Sequence, residues 1–197
     1  WVSLWILLSM GDSLKVRGSS MSLHGIPTSE IDLKPFVAFD RDWALVAAGD
    51  KDKFNMMTVS WGGLGTFWQS PAATVYIRSS RYTKTFVDSH DLLSISFLTP
   101  GHRKALNVCG TLSGRDVDKV AKSGLSPVMV DSGQGVEVPS FAEAELVLVC
   151  RKALVAPLGP ALFIDPKADG AMYGGSDKGD YHTMYISYVE KAYASEN

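Results

Sequence analysis

The sequence predicts a mainly β domain, a β-barrel with small peripheral helices, and three observations point there. From Phe36 onward the chain breaks into short apolar stretches separated by turn residues, the pattern of strands joined by hairpins and loops. Most of those stretches are rich in Val, Ile, Tyr, Phe and Thr, side chains that suit a pleated, half-buried surface. Helical spacing of apolar residues occurs only in short segments, each too short to hold a helix without a sheet to dock on.

In chain order, the predicted strands begin with Trp43–Ala48 (WALVAA), Met56–Trp61 (MMTVSW) and Thr74–Arg78 (TVYIR). Leu92–Leu98 (LLSISFL) follows, then Glu145–Cys150 (ELVLVC), with Lys152–Pro157 continuing it across a bulge. Ala161–Ile164 (ALFI) and His182–Val189 (HTMYISYV) complete the set. One predicted helix is Tyr82–Ser89, where Phe86 falls four residues after Tyr82 on the same face. A second is His102–Val108, with Ala105, Leu106 and Val108. The third, Asp116–Lys122, carries Val117, Val120 and Ala121 at spacings of three and four. Turn residues concentrate at Asp131–Gly135 and Asp165–Asp180. The second of these holds Gly170, Gly174, Gly175 and Gly179, and reads as a long surface loop, a common home for function.

Composition narrows the function classes. A chain of 197 residues is long enough to bury one substantial core. Hydrophobic residues at 46% and charged residues at 20% fall in the globular range and exclude a disordered chain. Nineteen Lys+Arg against 21 Asp+Glu give a formal charge of −2, a balance that argues against a dedicated nucleic-acid binder. Cys109 and Cys150 are the only cysteines and lie outside any C-x-x-C. They read as buried small hydrophobes in a reducing cytoplasm rather than as a disulfide or zinc framework. His24, His90, His102 and His182 form no metal-binding spacing, so no metal site is expected.

Trp1–Met10 is an apolar run of ten residues, short of the about 20 needed to span a bilayer. It also lacks the basic stretch that precedes a signal peptide's apolar core. Lys15–Ser20 (KVRGSS) is polar and short, like a linker or tag remnant. Residues 1–20 are expected to be a tag-like or disordered extension, with a partner-binding segment as the alternative, and residues 21–197 a single domain.

Three segments carry chemistry. In Asn55–Trp61 (NMMTVSW), polar side chains alternate with apolar ones along a strand. Such a row either faces solvent or bonds the edge of a flat heterocycle. The glycines that follow, in GGLGTFW, do not form G-x-G-x-x-G, since Trp68 takes the last required position, so no Rossmann fingerprint is present. Arg78–Lys84 (RSSRYTK) places two Arg, a Lys, two Ser and a Thr where a strand meets a helix. Ser80 or Thr83 could serve as a plain cap, but three cations in a first turn oppose the helix dipole. A bound phosphate reverses that sign, and Arg offers it a two-pronged donor. Ser113–Lys119 (SGRDVDK) reads as a capping box from Ser113 to Asp116, or as a close backbone approach at Gly114 with a cation, Arg115 or Lys119, beside a ligand ring.

Taken together and in this order, the segments NMMTVSWGGLGTFWQSPAATVYIRSSRYTKTFVDS, TLSGRDVDK and GDYHTMYISYVEKAY resemble the flavin-reductase-like family of FMN-binding split barrels, including flavoredoxin-type proteins. The resemblance runs from about Phe36 to Tyr193. It implies a Greek-key FMN-binding split barrel over residues 21–197 and a homodimer holding FMN near the subunit boundary. By the same resemblance Thr58, Val59 and Ser60 would line the flavin ring. Ser79, Arg81, Tyr82 and Thr83 would hold the phosphate, with Lys84 as a further contributor. Ser113, Gly114, Asp118 and Lys119 would approach the ring from the other side. Trp68, just beyond the flavin strand, would stack on the ring or shield it, or else fill the barrel mouth as a core indole. The Tyr173–His182 loop would close over the flavin with Tyr181 or His182 at its rim.

The function implied is a flavin reductase-type oxidoreductase passing electrons from NAD(P)H through FMN, with a small nicotinamide or flavin substrate. The alternatives are a flavoredoxin-like electron-transfer protein with a protein partner, and a flavin-binding protein without a redox role. Flavin performs hydride chemistry itself, so no catalytic side chain is expected, and neither a nucleic acid nor a membrane is expected as partner. With no second domain for the nucleotide, a nicotinamide would have to stack over an exposed flavin face.

Overall fold

The computed structural model describes residues 13–15 and 22–196. The strands are β1 (Ser13–Lys15), β2 (Ser22–Ile26), β3 (Ala44–Gly49), β4 (Phe54–Val59), β5 (Gly62–Phe67) and β6 (Ser70–Arg78). They continue with β7 (Leu92–Leu98), β8 (Pro127–Asp131), β9 (Glu137–Phe141), β10 (Ala144–Pro157) and β11 (His182–Ser195). The helices are α1 (Pro35–Val37), α2 (Tyr82–Ser89), α3 (Arg103–Thr111), α4 (Lys119–Ser123) and α5 (Pro166–Tyr173). The architecture is therefore the mainly β one the sequence predicts, with small helices against a sheet.

Nine strands form one antiparallel sheet in the order β1-β2-β11-β10-β7-β3-β4, with β6 also on β11 and β5 on β6. β8 and β9 form a separate hairpin. The length of β11 organises the sheet. His182–Tyr188 pair with β6 from Arg78 to Ala72, whereas Ala192–Ser195 pair with β2. β10 runs beside it from Leu146↔Ala194 to Pro157↔Thr183. Register shifts at Val149/Cys150 and Lys152/Leu154 are the predicted bulge, which lets one long strand bend with the sheet.

The sheet is buried on both faces. Along β3, Val46 and Ala48 join one apolar cluster with Val59, Ile77, Ile95 and Tyr185, while Leu45 and Ala47 join another with Leu106, Phe141 and Val149. This explains why β3 reads as an unbroken apolar run instead of an alternating one. Both cysteines are buried and unbridged, and burial raises both thiol pKa values.

Three expectations need correction. Residues 161–164 are not a strand: a 3-10 turn occupies Pro160–Leu162, where Pro160 has no N–H to give a ladder. The third helix begins at Lys119, not Asp116, because Asp118 is the cap and its carboxylate accepts the Ala121 N–H. The segment expected to be one long loop contains α5, started by the Asp165 carboxylate on the Lys167 N–H and by Pro166 at the first helical position. Ser13–Lys15, within the stretch expected to be an extension, pairs with Ser22–His24; residues 1–12 and 16–21 lie outside the described ones. Among the described residues, no helix is long and apolar enough to cross a membrane.

Candidate functional site

The site forms where β6 hands over to α2. β6 ends at Arg78, residues 79–80 turn, and α2 starts with Arg81 as an N-cap that makes no side-chain capping bond. An uncapped first turn leaves N–H donors and the positive end of the helix dipole facing outward. Beside this turn opens a hollow of about 250 Å³. Thr58, Val59 and Ser60 at the end of β4 line one side; Arg78, Arg81 and His182 line the other. Trp61, Tyr76 and Gly110 also border it.

Each wall is held by identifiable bonds. The Thr58 hydroxyl donates to the Leu106 carbonyl at 2.5 Å, tying β4 to α3. Arg81 Nη2 donates to the Gly110 carbonyl at 2.5 Å. Lys119, only 5% exposed, donates from Nζ to the Cys109 and Met56 carbonyls at 2.8 and 2.9 Å. Two cations thus meet the carbonyl end of α3, the end where the dipole favours them. Burial, reinforced by the Arg81 charge, lowers the Lys119 pKa to about 8. Burial also lowers that of Arg81, with Asp180 opposing it.

The turn itself already holds an anion. Asp180 accepts from the Ser80 N–H at 2.9 Å and from its hydroxyl at 2.6 Å. Ser79 donates through both its N–H and its hydroxyl to the Tyr181 carbonyl, at 3.3 and 3.1 Å. Arg115 donates to the Ser80 carbonyl at 3.2 Å and lies over the Tyr82 ring. Three cationic side chains, Arg78, Arg81 and Arg115, therefore meet at one strand-to-helix junction, with Lys119 buried behind Arg81 at the end of α3.

The other expected residues are dispersed around this frame. Thr83 is buried and accepts from Asn55 Nδ2 at 3.0 Å, so its hydroxyl faces the core side of α2. Gly114 has no room for a side chain, since a Cβ there would run into the Asn55 carboxamide. Its close approach is to Asn55 within the chain. Ser113 accepts the Arg115 N–H at 3.2 Å, Asp118 caps α4, and Lys84 pairs with Asp88 at 2.7 Å. Trp68 is 64% exposed at the β5–β6 turn, against Phe67, and the reading of a core indole is corrected. Trp68 and Gln69 form a two-residue turn with both at positive φ, and Trp68 is not among the residues that border the hollow.

A second hollow of about 540 Å³ adjoins the first and shares Ser60, Trp61 and Tyr76 with it. His182 links the two. Its ring lies 4.7 Å from that of Trp61, and its Nδ1 is 2.8 Å from the Tyr173 hydroxyl. Burial, with Arg78 adding to it and Asp180 opposing, lowers the His182 pKa to about 4. The neutral ring keeps one proton, and its tautomer sets which partner donates in the bond between Nδ1 and the Tyr173 hydroxyl. Tyr173 also stacks on Tyr181, whose hydroxyl donates to Asp169 at 2.7 Å. Sequence reasoning missed Tyr76 and Gly110. Tyr76 shares a strand face with Thr74 along β6 and was open to detection, whereas Gly110 reaches the site only through the packing of α3.

Solved structures place the fold. An FMN-binding domain of a flavin reductases-like enzyme from Shewanella baltica matches with a TM-score of 0.60 at 18% identity, over 87% of this chain and 76% of that one. Flavoredoxin from Methanosarcina acetivorans gives 0.58 at 22% identity, over 79% and 69%. Nitrilotriacetate monooxygenase component B from Bacillus cereus gives 0.56 at 15%, over 76% and 67%. The fold is the split barrel these proteins share. No curated protein matches the chain by sequence. The model of the flavin reductase like domain matches residues 36–197, and the chain belongs to that family.

Proposed function

We propose that this chain is an FMN-binding flavoprotein of the flavin reductase type, a cytoplasmic homodimer that passes electrons from NAD(P)H through FMN. The observation that carries the reading is the uncapped start of α2 beside a hollow walled by Arg78 and Arg81 on one side and the end of β4 on the other. Residues at that junction suit a phosphate: N–H donors at a helix start, with guanidinium groups beside them. That Asp180 already engages the Ser80 N–H and hydroxyl supports the same anion preference. Arg81 and the turn at Ser79–Ser80 would hold the phosphate, and Thr58–Ser60 would lie along the ring. FMN would supply the hydride and electron chemistry; the chain would bind and orient it and limit water at its face.

The exposed Trp68 at the β5–β6 turn supports a dimer, since a second copy would cover it. Light scattering should give twice the mass of one chain. Anaerobic mixing of the FMN-loaded protein with NADH and NADPH tests the donor: rapid bleaching of the flavin absorbance supports the reductase. Bleaching only by dithionite or by a reduced protein favours the flavoredoxin-like alternative. The absence of any cation from the lining of the second hollow is the observation that keeps this alternative in play, because a dinucleotide brings phosphates.

A further inference from the structure

The turn between β6 and α2 is covered by the chain's own acceptors. Both donors of Ser80 go to Asp180, the N–H at 2.9 Å and the hydroxyl at 2.6 Å. Both donors of Ser79 go to the Tyr181 carbonyl, at 3.3 and 3.1 Å. The Arg78 guanidinium is held by Asp177 at 3.3 Å and by the Met172 carbonyl at 3.2 Å. The end of α5 and the segment leading to β11 therefore cover Arg78, Ser79 and Ser80 in succession. An anion reaching Ser80 finds no spare donor there, because each N–H or O–H offers a single proton. It also meets the Asp180 carboxylate, a like charge.

We propose that Asp180 is an autoinhibitory latch: its carboxylate stands in the place of a flavin nucleotide's phosphate, which enters only as Asp180 leaves. The nucleotide's identity rests on the flavoprotein reading; the latch itself concerns any phosphate. The segment has the means to let go. Gly179, directly before Asp180, has φ 80°, and Gly175 has φ 60°, conformations that glycine adopts freely and that suit a hinge. The Asp177 side chain is 56% exposed, and an ion pair in that setting holds weakly. Tyr181, by contrast, adjoins His182, whose pairing with Arg78 begins the β11–β6 ladder. Release therefore stops at Asp180: Ser79 keeps its main-chain bond to Tyr181, while Ser80 offers its N–H and hydroxyl to the phosphate beside Arg81. A segment that only braced the turn would not need a charge at this point, since a neutral amide oxygen accepts from the same donors.

The test compares Asp180→Asn, the same shape without the charge, with the unaltered chain in fluorescence titrations with FMN and riboflavin. The variant should bind FMN about threefold or more tighter, with riboflavin within about twofold. Lys178 lies exposed inside the segment, so the rate of tryptic cleavage after it reports release of the latch. FMN should speed that cut by about threefold or more in the unaltered chain, and riboflavin should not. Asp180→Asn should be cut faster with no ligand present. Inorganic phosphate against chloride at equal ionic strength repeats the comparison without flavin. FMN affinity unchanged or weakened in Asp180→Asn, or a cut that bound FMN leaves unchanged or slows, would overturn the latch and leave the flavoprotein reading standing. Phosphate speeding the cut in a chain that fails to bind FMN sinks the flavoprotein reading alone. With no FMN binding and no effect of phosphate, both fall.

Discussion

The two hollows share a wall of Ser60, Trp61 and Tyr76, yet they are built from different parts of the chain and by different forces. The first is a polar frame. Its cations are placed by bonds to main-chain carbonyls, Arg81 to Gly110 and Lys119 to Cys109 and Met56, and these bonds fix α3 against β4. The second is an apolar surface of Phe36, Leu64 and Phe163, shaped by packing alone. Charge is concentrated where it can be tied to main-chain acceptors, and the adjoining volume is left uncharged. A ligand spanning both would be sorted end by end, its anionic part to one side and its neutral ring to the other.

The largest effect should come from the cation nearest the uncapped helix start. Arg81→Ala should weaken FMN by about 1.5–3 kcal/mol, the scale of a hydrogen bond to a charged group, with riboflavin affected much less. Equal loss for both flavins in parallel titrations would show that Arg81 serves only as the strap on α3. Gly114→Ala strikes the frame instead. Its Cβ would displace Asn55 from Thr83, and overpacking of this kind costs about 1–3 kcal/mol. Chemical denaturation should register the loss, and an unchanged midpoint would show that Asn55 gives way to the added methyl group at no cost.

How much of this was legible in the sequence follows the same division. β7 and α2 fall where the apolar pattern put them, because local periodicity and a sheet to dock on agree there. The phosphate-suited turn was readable as well, since Arg78, Ser79, Ser80 and Arg81 are adjacent. β5 was not, as the glycines of GGLGTF erase the alternation that marks a strand. Lys119 was read as approaching a ligand ring, yet its ammonium goes to carbonyls 10 and 63 residues distant in the chain. No local pattern encodes such a contact. The pairing of His182 with Arg78 across β11 and β6 is equally non-local, and it puts the histidine at the hollow.

Smaller effects should sharpen the role of His182, which joins the two regions. Tyr173→Phe removes the hydroxyl that holds Nδ1 and should cost about 1 kcal/mol, measured by thermal unfolding. The pH dependence of stability carries a related signature. His182 titrates near 6.5 when unfolded and at about 4 in the fold, so the unfolded chain binds the extra proton in that window. Stability should therefore fall as the pH drops from 6.5 through 4. His182→Gln should flatten this part of the profile, and an unchanged slope would assign it to other groups.

The most direct test of the central claim is a titration of the flavin-free chain with FMN and, in parallel, riboflavin, following flavin fluorescence. One FMN per chain should bind, with riboflavin weaker by about tenfold or more because it brings no phosphate to Arg81 and the start of α2. Failure to bind FMN, or equal affinity for the two, would contradict the assignment of that junction as a flavin phosphate site.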